Sequence, residues 1–182
     1  MLRILAAVAI VAACTTAPAV ANPSDALRVV IVRHGEKPDD GDQLTCRGHN
    51  RALQLAAVLV GKYGKPSVIY VPALGLGATT SHARMFETAA PLAIKYSLAI
   101  DSKFDEKDAT GVAADIQTRT GTVLLVWEHS AIGDVARALG IASPPKWKGK
   151  DFDSIWVITY AKGHASLELA SEGLAPAEDC SY

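Results

Sequence analysis

Arg33, His34, Arg84 and His129 have the side-chain types needed to handle a phosphoryl group. An imidazole with one unprotonated nitrogen can attack phosphorus and carry the group covalently, which splits one hard step into two easier ones. Guanidinium groups offer planar, paired donors that match phosphoryl oxygens. His34 is followed by Gly35, which allows backbone to approach a bound group closely. Glu36 and Lys37 come next and are candidate substrate contacts. Each residue alone has a plainer explanation: a solvated Arg-His-Gly turn, a surface arginine on a helix, or a hydrogen-bonded structural histidine. Their positions relative to the secondary structure argue otherwise.

The run from Leu27 to Val32 is β-branched and reads as a buried strand. Thr45 is a helix cap or pre-cap. From Gly48 the residues Ala52, Leu55, Ala56 and Leu59 keep helical spacing until Gly61 and Gly64. Ser67 to Val71 forms a second strand, and a Gly-rich loop follows from Ala73 to Ala78. A helix capped by Ser81 or Thr80 runs through Met85, Ala89 and Ala93, and Ser97 to Ile100 suits a third strand. Ala109 to Thr118 suits a helix, Thr122 to Trp127 an apolar strand, and Ile132 to Leu139 a further helix. Ser154 to Tyr160 and Ala165 to Leu169 close the chain as strands joined across Lys162-Gly163.

This alternation implies βαβ units in one domain, a three-layer α/β/α sandwich with a mostly parallel central sheet. Ligands of such sheets bind beyond the carboxyl ends of the strands. Arg33 and His34 follow the first strand, the loop leading to Arg84 follows the second, and His129 follows the Val123 to Trp127 strand. Three separate positions thus converge on one end of the sheet.

Arg33-His34-Gly35-Glu36, Leu44-Thr45 with Gly48 and Ala52, Arg84 to Ala89, and Glu128-His129 resemble, in that order, the motifs of the histidine phosphatase superfamily. The resemblance is to the branch containing phosphoglycerate mutase and the bacterial phosphohistidine phosphatases. It implies a phosphoglycerate mutase-like fold and metal-independent hydrolysis of phosphomonoesters through a phosphohistidine on His34, with no cofactor. Arg33 and Arg84 would grip the phosphoryl oxygens, and His129 would donate to one of them. An alkoxide leaving group also needs a proton donor. Glu128 is the favoured donor, although neighbours on a strand point to opposite faces unless the chain has already turned. Asp105, Glu106 and Glu36 are the alternatives. The mutase-type Ser and Trp-Asn after the glutamate are absent, so a phosphatase is preferred over a phosphomutase. A non-catalytic phosphate-binding module of the same fold is the competing reading.

The first 21 residues read as a signal peptide: Arg3, an apolar run from Ile4 to Ala13, and Ala19-Val20-Ala21 as the cleavage site. Val11-Ala12-Ala13-Cys14 also resembles a lipoprotein box, with residues 1–13 removed and Cys14 lipidated. Cleavage after Ala21 is preferred, giving a catalytic domain over 22–182 in the periplasm or secreted; lipidation would anchor it to a membrane. Neither form has a transmembrane span once mature. Without Arg3 the chain carries 17 basic and 19 acidic residues, a formal charge of −2 with no basic block. That excludes a nucleic-acid partner and favours a phosphorylated small molecule or envelope component. Cys46 and Cys180 would meet an oxidising compartment, where they form a disulfide or stay as free thiols. Neither has a second ligand at a spacing familiar from metal sites.

Overall fold

The β-branched run Leu27–Arg33 (β1) lies inside a six-stranded sheet, paired on both sides. The computed structural model describes residues 26–181, so the proposed signal segment and Cys14 lie outside the described residues. Parallel to β1 on one side are Gly121–Trp127 (β6), Val68–Tyr70 (β2) and Ile100–Asp101 (β5). On the other side β1 pairs antiparallel with Ser154–Ala161 (β7), which pairs with His164–Ser171 (β8). The strand order is β5-β2-β6-β1-β7-β8. Lys162 and Gly163 join the last two with positive φ values of 52° and 78°, which a tight two-residue hairpin requires.

Alternate residues of β1 feed opposite faces of the sheet, as the two-residue strand period demands. Val29 and Ile31 pack with Val112 and Ile116 of Ala109–Ile116 (α3) and with Ile132 and Val135 of His129–Ala138 (α4). Val30 and Val32 pack with Leu55 and Leu59 of Cys46–Tyr63 (α1) and with Met85 and Leu92 of Ala83–Tyr96 (α2). The result is a three-layer α/β/α sandwich whose central strands are covered on both faces, which explains why β1 and β6 read as continuous apolar runs.

Several boundaries differ from the sequence expectation for local reasons. The Gly-rich loop contains a small hairpin, Gly75–Leu76 (β3) against Thr80–Ser81 (β4), so neither Thr80 nor Ser81 caps α2. His82 takes that place in the left-handed region, φ 61°, with no side-chain cap bond. Ser97 ends α2 with φ 52°, which shifts the third strand to Ile100–Asp101. The helix expected from Ile132 begins at His129, directly after β6. Thr45 does cap α1, accepting a bond from Gly48 N at 3.1 Å, and Gly64 ends it.

Cys46 and Cys180 are joined by a disulfide across a sequence separation of 134, which pins the tail to the start of α1. Asn50 of α1 supports the tail by donating to the carbonyls of Ala177 and Asp179, at 3.0 and 2.8 Å. Among the described residues no helix is long and apolar enough to cross a membrane. Reducing the bond, or replacing both cysteines with serine, is expected to lower the unfolding free energy by about 4–5 kcal/mol in the chain-entropy model. Thermal melts with and without reductant measure this; identical melts would mean that Asn50 and its neighbours hold the tail without the sulfurs.

Candidate active site

The in-register pairing of β1 with β6 sets Arg33 opposite Trp127, so His34 and Glu128 leave the sheet side by side. The His34 ring is fully buried. Its Nδ1 is 2.6 Å from the carbonyl oxygen of Gly35. A carbonyl can only accept, so Nδ1 carries a proton, an assignment made from its partner. Nε2 is then the nitrogen turned to the site, 3.1 Å from Glu128 Oε2. Against an ionised carboxylate Nε2–H is the donor, and Nε2 has a free lone pair only once that bond and its proton are given up. Burial opposes ionisation of Glu128. The hydrogen bond and charge of His34, with His129 and Arg84 behind them, outweigh it and hold the carboxyl well below the usual range. Glu128 is therefore an acceptor and a poor proton donor.

Glu128 is extended, with φ −79° and ψ 131°, and His129 opens α4. That turn removes the strand alternation, and Glu128 Oε1 lies against His129 Nδ1. Burial, followed by the Arg33 charge, pushes His129 down from its ordinary value. Arg84, in the first turn of α2, reaches Glu128 Oε2 at 3.4 Å and Asp42 Oδ1 at 3.6 Å. Arg33 is buried and donates to the carbonyl of Gly149 at 2.6 Å, with its guanidinium carbon 3.9 Å above the Phe152 ring. The Nε atoms of Arg33 and Arg84 are buried without a hydrogen-bond partner among the described residues. Buried unpaired donors are costly.

His34, Glu128 and His129 each place one ligating atom within 4.8 Å of the others, a spacing a metal ion could use. The charges of Arg33 and Arg84 act on these groups and oppose a cation there.

Gly35 binds the His34 segment to α2: its N–H donates to Thr88 Oγ1 at 2.9 Å, and that hydroxyl donates to the carbonyl of Arg84 at 2.7 Å. Glu36 and Lys37 are not brought to Nε2. Arg51 grips Glu36 through two bonds, 2.9 and 2.8 Å, and Arg47 adds a contact of 3.2 Å. Arg51 also holds Glu172 of the tail at 2.5 Å, and burial pushes that carboxyl up to about 7. Lys37 turns back on its own loop and donates to the carbonyl of Pro38 at 2.9 Å.

Of the two acids after β5, Asp105 is exposed and accepts from the backbone of Lys107. Glu106 is half-buried and its backbone carbonyl accepts from Trp127 Nε1 at 2.9 Å, which ties it to the end of β6. Burial and then the Glu128 charge raise its carboxyl above the usual range, while His82, 3.6 Å away, and Arg84 oppose the rise. Nothing local in the sequence separated Glu106 from Asp105; the signal was its place one loop beyond a strand's carboxyl end.

Neither a protein-family model nor a curated protein sequence matches the chain. Solved structures do match in fold. A protein histidine phosphatase, SixA, complexed with tungstate superposes with a TM-score of 0.59 at 20% identity, over 80% of this chain and 97% of that one. A mycobacterial glucosyl-3-phosphoglycerate phosphatase with inorganic phosphate gives 0.57 at 18%, over 81% and 99%. A phosphoglycerate mutase from Bacillus anthracis gives 0.53 at 17%, over 81% and 94%. The chain has the phosphoglycerate mutase-like fold.

The site depends on a close backbone approach. A Cβ on Gly48 would lie 2.2 Å from the carbonyl oxygen of Glu36, and one on Gly35 would lie 2.7 Å from the carbonyl oxygen of Gly48. Gly48→Ala is therefore expected to cost about 1–3 kcal/mol of stability, as overpacking does. Gly61→Ala, where nothing lies within 4 Å, should be neutral or stabilising. Denaturation midpoints compare the two; equal effects would show that α1 and the His34 segment are not in tight contact.

Proposed function

We propose that this chain is a histidine phosphatase that hydrolyses phosphomonoesters through a covalent intermediate on His34 Nε2. The observation that carries the reading is the buried imidazole with a fixed Nδ1–H, flanked by Arg33 and Arg84, whose Nε donors have no hydrogen-bond partner among the described residues. Binding of the phosphate dianion displaces Nε2–H from Glu128 and its proton passes to solvent; Nε2 then attacks phosphorus and the ester P–O bond breaks, leaving the phosphoryl group on nitrogen. The two guanidiniums and His129 stabilise its oxygens as charge shifts, and positioning with charge stabilisation is most of what phosphoryl transfer needs. A water molecule then attacks phosphorus, and the N–P bond breaks to release inorganic phosphate and restore His34.

Glu106, rather than Glu128, is the proposed proton donor to the leaving oxygen and then the base for the attacking water. Two carboxyls whose surroundings push them in opposite directions divide these roles. Glu106 is raised, which favours its protonated form; Glu128 is lowered and serves as an acceptor that orients His129. The phosphatases of the same fold support a hydrolase, and the absence of the mutase-type residues after Glu36 supports hydrolysis over transfer. Export is proposed as well, supported by the pattern of residues 1–21 and by a disulfide that needs an oxidising compartment. Sequencing the mature N-terminus separates Asn22 from Cys14.

Replacing His34 with alanine is expected to abolish hydrolysis of p-nitrophenyl phosphate, with circular dichroism unchanged and wild-type activity persisting in chelator. Glu106→Gln should slow alkyl phosphates by a factor of about 10²–10⁴ and aryl phosphates far less, because only the poor leaving group needs its proton. The wild-type rate on alkyl phosphates should fall as pH rises through the elevated value of Glu106, since the acid must be protonated. Equal loss on both substrate types would remove Glu106 from this role, and Glu128→Gln in parallel would show whether it takes it.

A further inference from the structure

Next to His129 lies a pocket of about 510 Å³, open to solvent on one side and within the size range of small-molecule sites. One wall is α4, with Ser130 in its first turn and Arg137 in its last; the other is the loop between α4 and β7, with Lys146, Trp147 and Gly149. This loop is held firmly for a surface segment. Trp147 is buried against Trp156 with ring centroids 5.1 Å apart, and its Nε1 donates to the carbonyl of Asp151 at 2.9 Å. Gly149 accepts from the Arg33 guanidinium at 2.6 Å. The same loop is thus tied to one of the arginines that would grip the phosphoryl group.

The cavity joins the site at His129. A Cβ on Gly149 would lie 3.7 Å from His129 Nε2, so backbone and imidazole face each other across its mouth. Its lining contains Arg137 and Lys146 and no carboxylate, although the whole chain is formally net negative. Arg137 is paired with Asp134 on the exposed face of α4, which leaves Lys146 as the principal charge. Pro144 and Pro145 precede Lys146 and restrict the backbone that carries it.

We propose that this cavity receives a second anionic group of the substrate, carried by the leaving group of the phosphomonoester. The proposal rests on the phosphatase reading for the identity of the first group. A carboxylate and a second phosphate share the required chemistry. Lys146 supplies the charge at this second position and discriminates between substrates without touching the reacting atoms.

The test compares phenyl phosphate, 3-carboxyphenyl phosphate and 1,3-phenylene bisphosphate as substrates, and the matching phosphonates as ligands in calorimetry. In the wild type the second anion should raise kcat/KM and tighten binding. Lys146→Ala should reduce the ratio of doubly to singly anionic probes about tenfold, the effect of losing one charge-assisted contact. Lys146→Arg should keep the ratio, and added salt should shrink it. The carboxylated and bisphosphate arms separate the two anions. Hydrolysis with a ratio indifferent to Lys146 would overturn the second site and leave the phosphatase reading standing. Lys146-dependent binding of the doubly anionic phosphonates without hydrolysis would do the reverse. Probes that neither bind nor react would contradict both.

Discussion

A buried imidazole can act as a nucleophile only if something decides which of its nitrogens faces the substrate. Here the Gly35 carbonyl takes the Nδ1 proton at 2.6 Å, and the pairing of β1 with β6 brings Glu128 to the other side of the ring. The remaining structure can be read as support for that orientation. Gly48 lets α1 press against the backbone of Glu36, Thr88 ties Gly35 to α2, and Arg51 locks Glu36 while reaching the tail. A one-residue slip between β1 and β6 would turn His34 or Glu128 to the opposite face and dismantle the site.

Electrostatics then separates the groups. Arg33 and Arg84 concentrate positive potential in a chain that is formally net negative, so anion affinity must be local. Glu128 sits inside this field and is held ionised. Glu106 sits at its margin, where burial and the charge of Glu128 raise it. The same Coulomb interaction acts on both carboxyls, but different cationic neighbours decide the sign of the net shift.

Much of this was legible in the chain itself. The apolar runs of β1 and β6, the Thr45 cap and the Lys162-Gly163 hairpin are local patterns, and local patterns can be read without coordinates. Arg33, His34, Arg84 and His129 could be grouped because parallel strands deliver their carboxyl ends to one edge. The partners of Glu36 were not legible, since Arg51 meets it across 15 residues of chain and is itself bound by Glu172 across 121, through side chains alone. Nor was the basis for proposing Glu106 rather than Glu128 as proton donor, which lies in burial and in the turn at His129. The left-handed cap at His82 was also hidden, because it follows from the β3–β4 hairpin that precedes it.

The central claim is that phosphorus becomes bonded to His34 during turnover. Rapid quenching of the protein with a ³²P-labelled aryl phosphate, followed by peptide mapping, addresses it directly. The account predicts acid-labile, base-stable label on the peptide containing His34 and none on the His34→Ala variant. Turnover in which no covalent phosphate forms, or label that persists on another residue when His34 is replaced, would contradict it.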